Sequence, residues 1–78
     1  MTPVELRAVS LTRALAARGE LQRARKERHL TLRDVAHGIG ANPSTVHRWE
    51  TGESVPTSAL ALRWARLMDL IEKPELVA

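Results

Sequence analysis

The 78-residue sequence predicts an all-α fold of five helical segments. Three observations lead there. Ala, Leu, Arg and Glu, all strong helix formers, dominate the composition, whereas the only aromatics are two Trp, with no Tyr or Phe to furnish sheet faces. Cysteine is absent, so neither a disulfide framework nor a thiolate metal site can staple the fold. A chain near the bottom of the range of roughly 50 to 200 residues for a domain must then bury its core by packing helices, and it is too short for a multidomain enzyme. Third, one local pattern recurs along the chain: a capping residue, an apolar stripe at helical spacing, then a break.

Thr2-Pro3-Val4-Glu5 has the form of a capping box with proline at the first helical position, which starts the first helix. Val4, Ala8, Leu11 and Leu15 continue it as an apolar stripe to about Ala17 or Arg18. Gly19 divides this helix from a second one over about Glu20 to Arg28. A register of Ala14, Ala17, Leu21 and Ala24 runs through Gly19 and leaves a continuous helix as the alternative. Thr31 caps a third helix with Asp34 at its positive end, and Leu32, Val35, Ala36 and Ile39 form its inner face. Gly38 and Gly40 keep it short. Asn42 caps a fourth helix with Pro43 in its first position and Val46 and Trp49 facing inward, ending at Thr51-Gly52. After Pro56, either Thr57 or Ser58 caps a last helix with Leu60, Ala61, Trp64, Ala65 and Met68 inward, ending before Pro74.

The third and fourth helices form the constellation that bears on function. Two short helices joined by a glycine turn of three to four residues make a helix-turn-helix, and its corner has specific requirements. Ala36 supplies the small side chain at the crossing, Gly40 the turn, and Val46 the β-branched plug. With these in place, Leu30-Thr31-Leu32-Arg33-Asp34-Val35-Ala36 and Thr45-Val46-His47-Arg48-Trp49-Glu50-Thr51-Gly52 resemble the phage-repressor family, the Cro and Xre type of lambda-repressor-like regulators. The resemblance covers about Leu21 to Met68. It implies a compact four- to five-helix lambda-repressor-like domain, to which the N-terminal helix is an extra one, and a helix over residues 42–51 that enters the DNA major groove. The sequence departs from the family pattern at Leu32 and Pro43, each at the first position of its helix, where glutamine commonly makes a polar contact. Base reading then shifts toward Ser44, His47 and Arg48.

Arg48 is the first candidate for direct readout, since its fork can hold guanine O6 and N7, with a phosphate clamp as the alternative. His47 lies on the same exposed face. Ser44, Asn42 and Pro43, at the start of the reading helix, stand where base and backbone contacts concentrate, although Asn42 has capping as its plainer role. The candidate phosphate contacts are Thr31, Leu32, Arg33, Thr45, Thr51, Ser54 and Arg25, with Thr45 divided between phosphate and packing. Arg25 and Glu50 lie on segments that the resemblance implies pack together, and they are expected to form a partly buried ion pair, because a carboxylate at a helix C-terminus opposes the dipole unless a cation compensates it. Arginine is the suitable cation, its fork holding the carboxylate twice and presenting a further N–H to a phosphate.

The net charge of +3 comes mainly from arginine, and Arg23, Arg25, Lys26, Arg28 and Arg33 make a phosphate-facing belt or a solvated face paired with Glu20 and Glu27. His29, His37 and His47 fall in separate segments without metal-ligand spacing, so no metal and no cofactor are expected. No strand-to-helix elbow exists to expose a nucleophilic serine, and no enzymatic activity is expected. Trp49 and Trp64 sit at inward positions and belong to the core rather than to a base-stacking platform. With no run of about 18 apolar residues and no signal peptide, the expected location is cytoplasmic, with no membrane partner.

The expected organisation is a helical extension over 1–19, a helix-turn-helix domain over 20–73 and a tail over 74–78. The expected function is that of a sequence-specific DNA-binding transcriptional regulator of bacterial or phage type. Its partner is double-stranded DNA, bound as a homodimer through the last helix or the N-terminal one. The rival is a protein-interaction module, such as an antitoxin or transcription-machinery adaptor, in which the N-terminal stripe docks a partner helix.

Overall fold

A computed structural model describes residues 1–71. Among them lie five helices and no strand: α1 (Pro3–Ala17), α2 (Glu20–Glu27), α3 (Leu32–Ile39), α4 (Pro43–Glu50) and α5 (Ser58–Leu67). The starts follow side-chain chemistry. Thr2 and Glu5 close a reciprocal capping box on α1, Thr31 and Asp34 close another on α3, and Thr57 accepts from the Leu60 amide at α5. Asn42 occupies the cap position of α4 in extended backbone, but its side chain makes no capping hydrogen bond, contrary to expectation. The Thr45 amide, which such a cap would accept from, donates instead to the Asn42 carbonyl at 3.0 Å.

The ends follow backbone geometry. Behind α2, α3, α4 and α5 an amide reaches back five residues, Leu30 to Arg25, Ala41 to Ala36, Glu53 to Arg48 and Leu70 to Ala65, at 2.8 to 3.0 Å. These are Schellman closures, which need a left-handed residue at the turn. Gly40 supplies it for α3 at φ 76°, and a Cβ there would also stand 3.2 Å from the Arg63 guanidinium. His29 and Asp69 adopt the same region without being glycine, at φ 59° and 56°. Hence α2 stops at Glu27, and α5 ends at Leu67, well ahead of Pro74. Pro74 and the expected tail over 74–78 lie outside the described residues.

Two apolar clusters hold the helices together. Ala16, Leu21, Val35, Ala36, Ile39, Val46, Trp49, Trp64 and Met68 form the larger, in which the two indoles meet at 5.6 Å between ring centroids with planes tilted by 39°. Ala8 and Val9 of α1 form the smaller with Ala61, Leu62 and Ala65 of α5. This placement corrects the expected α1 stripe. Its buried face is Ala8, Val9, Thr12 and Ala16, whereas Leu11 is 42% exposed and Val4 and Leu15 are half-buried. Small residues let α1 lie close against the alanines of α5, and the larger leucines are pushed to the flanks. The alternative register through Gly19 does not form: Gly19 is left-handed and Ala14 and Ala17 are exposed.

Candidate nucleic-acid interface

The α3 and α4 helices are joined by Gly40, Ala41 and Asn42 and pack against each other directly. Ala36 and Val46, the residues of that contact, are fully buried. Their burial fixes the azimuth of α4. With Val46, Trp49 and Glu50 turned inward, Ser44, His47, Arg48 and Thr51 share the outward face at steps of three and four, and all four are exposed. Pro43 and Asn42 are exposed at its leading end, and Thr45 is half-buried on its shoulder. Arg48 Nη2 donates to Thr45 Oγ1 at 3.4 Å, a weak contact that leaves the guanidinium at the surface.

Beneath this face, Arg25 of α2 grips the end of α4. Its Nε donates to Glu50 Oε2 at 2.8 Å and its Nη2 to Glu50 Oε1 at 3.1 Å, a bidentate fork, while Nη1 donates to the Leu30 carbonyl at 2.8 Å. Arg25 is 7% exposed and Glu50 3%. The phosphate contact expected of Arg25 is corrected accordingly, because its guanidinium is buried and its third nitrogen serves the α2–α3 link. A charge so deep is tolerated because every nitrogen of the fork meets an acceptor.

The leading end of α3 lies beside that of α4. Thr31, Leu32, Arg33 and Pro43 line a shallow cleft between the two starts. Arg33 is exposed and Leu32 half-buried. The amides of Leu32 and Arg33 occupy the first helical positions, where the helix provides no acceptor. The Thr31 amide differs, since it donates to Asp34 Oδ2 at 2.8 Å, and Thr31 Oγ1 accepts from the Asp34 amide at 3.0 Å. The Thr31 amide is therefore occupied within the capping box, whereas the next two amides along are not. The Thr31 amide, and then its hydroxyl, hold the Asp34 carboxyl below its ordinary range. Thr51 is also engaged, its hydroxyl donating to the Arg48 carbonyl at 3.1 Å and its amide to the His47 carbonyl at 3.0 Å, so both of its donors are occupied. Ser54, half-buried in the following loop, sends its amide to the Arg48 carbonyl at 3.2 Å.

Two supports escaped the sequence. Arg13 of α1 donates through Nε to the Pro56 carbonyl at 3.0 Å and through Nη2 to Ser58 Oγ at 3.4 Å, anchoring the loop behind α4. Arg63 of α5 donates to the Ile39 carbonyl at 3.2 Å, satisfying the end of α3. An arginine aimed at a main-chain carbonyl leaves no pattern of residue types, so no signal marked either one. In the belt, Arg23, Lys26 and Arg28 are exposed, with Arg28 Nη1 3.6 Å from Met68 Sδ. Among the described residues no three His, Asp or Glu come together to hold a metal ion, and no helix is long and apolar enough to cross a membrane.

A protein-family model described as Helix-turn-helix matches residues 21–76, from the start of α2 onward. No curated protein and no solved structure gives a match.

Proposed function

The chain belongs to the Cro/C1-type helix-turn-helix family of DNA-binding regulators, and from that premise we propose that it is a sequence-specific transcriptional regulator of bacterial or phage type. It acts in the cytoplasm by occupying an operator, without chemistry of its own. The observation that carries this reading is the outward face of α4. Ser44, His47 and Arg48 stand exposed on one side of a helix whose other side is locked into the core by Val46, Trp49 and Glu50. A rigid helix with a polar outer face of this length suits the major groove, where side chains distinguish all four base pairs.

In this reading Arg48 pairs with guanine, Ser44 and His47 contact neighbouring base edges, and Arg33 with the Leu32 and Arg33 amides holds a phosphate beside the groove. Ser54 and Thr45 take further backbone contacts. Thr51 joins them only by giving up its bond to the Arg48 carbonyl. One such domain covers a single half-site, so the working form is a homodimer on a near-palindrome.

The rival interaction-module reading draws on Leu6 and Leu11, which remain exposed on α1. It has less to draw on than the sequence suggested, because Ala8 and Val9 are spent on α5 within the same chain. Selection from a random-sequence duplex pool with the purified chain separates the two, accompanied by gel filtration. Regulation through an operator requires a discrete enriched motif with a repeated half-site. Salt-sensitive binding without sequence preference supports the rival or a general nucleoid role.

A further inference from the structure

The cleft between the leading ends of α3 and α4 has a mixed chemistry, and the contacts assigned above leave its apolar side chains unused. Leu32 and Pro43 give it an apolar wall, Thr31 a methyl-bearing flank, and Arg33 a cationic rim. Leu32 is half-buried, its inner side packed on the main core, so it is held in place rather than free to fold away. Pro43 is exposed with a ring fixed at the first position of α4. Neither residue offers a hydrogen bond from its side chain, and Pro43 lacks an amide hydrogen as well. A polar base edge set against this wall would be left unpaired, at a cost in binding. The matching feature of duplex DNA is an apolar group in the major groove beside a phosphate chain, and the C5 methyl of thymine is the one that unmodified bases present.

Resting on the DNA-binding reading above, we propose that Leu32 and Pro43 form a seat for the 5-methyl group of a pyrimidine. Arg33 and the Leu32 and Arg33 amides take the adjacent phosphate. Leu32 and Pro43 are thereby specificity-determining residues, and they select thymine, or 5-methylcytosine, over unmethylated cytosine at one position of each half-site. Asp34 does not repel the phosphate freely, because its carboxylate is turned onto the Thr31 amide at 2.8 Å.

The test uses the full chain and synthetic duplexes carrying the selected site, with each thymidine replaced in turn by deoxyuridine. That replacement removes one methyl group and no hydrogen bond. At one position per half-site, affinity is expected to fall about fourfold, the equivalent of one buried methyl group, and a 5-methylcytosine placed there is expected to bind better than cytosine. Leu32→Gln and, independently, Pro43→Ser are expected to bring the thymine-to-uracil ratio at that position close to one. Their melting curves establish that each variant is folded. Indifference of every position to loss of the methyl overturns the inference while leaving the DNA-binding reading intact, as does a thymine preference that survives undiminished in both variants. Failure to select any sequence overturns that reading and the inference together.

Discussion

At Arg25 three nitrogens of one side chain meet three acceptors, two on Glu50 and one on Leu30, and this joins α2, the α2–α3 link and the end of α4. Removing either partner strands a buried charge, so Arg25→Met and Glu50→Leu are each expected to cost about 3 to 5 kcal/mol in denaturant melts. The double variant should recover much of that loss, and its coupling energy is the quantity to measure. The pairing is legible because an acid at the last position of a helix opposes the dipole and demands a cation, and the family resemblance implies that the Arg25 segment packs there. The orientation of Arg25 toward the Leu30 carbonyl was not, since no residue type signals a main-chain acceptor. Thr12 presents the opposite case. It is fully buried on α1, and its hydroxyl has no partner. Thr12→Val keeps the shape and removes the unsatisfied group, so it is expected to raise stability by about 1 kcal/mol, read as an increase in denaturation midpoint at unchanged slope.

At the scale of the helix, starts were more legible than ends. Threonine with an acid three residues later marks α1 and α3 without ambiguity, and the structure closes both boxes. Ends at Gly19, Gly40 and Gly52 were visible for the corresponding reason, but His29 and Asp69 turn left-handed with no such residue to announce it. The α1 stripe was misplaced because leucines weigh more than alanines in an apolar pattern, although close helix packing favours the alanines. The α3 cap carries a pH prediction. The Asp34 carboxyl titrates below its ordinary range in the folded chain, so the ionised form stabilises the fold above that ordinary range, and this contribution is lost as pH falls through the lowered folded value. Thermal melts of the parent and Asp34→Asn are expected to differ at neutral pH and to converge in acid. Arg13 carries another. It ties α1 to the loop between α4 and α5, so Arg13→Ala should speed hydrogen exchange at the Glu53 and Ser54 amides while leaving exchange in α3 unchanged.

Among the described residues, the larger cluster welds α3 and α4 to both indoles, and the smaller lays α1 along α5. The helix-turn-helix was legible because its corner restricts residue types at three positions, Ala36, Gly40 and Val46. The outward face followed from the inward positions of Val46 and Trp49 by helical geometry alone. The donors that are already occupied are not legible: the Thr31 amide, both donors of Thr51 and the Arg25 guanidinium suit a phosphate, and only hydrogen bonds and burial show them engaged. In the proposed function this rigid face reads sequence, with Arg48 as its main base contact. Its most direct test is the affinity ratio between the selected duplex and a scrambled one of equal length, measured at a single salt concentration for the parent and for Arg48→Ala. The account predicts that the variant loses about 1 to 3 kcal/mol on the selected duplex and little on the scrambled one, so that the ratio collapses. An equal loss on both duplexes would contradict it, assigning Arg48 to the phosphate chain.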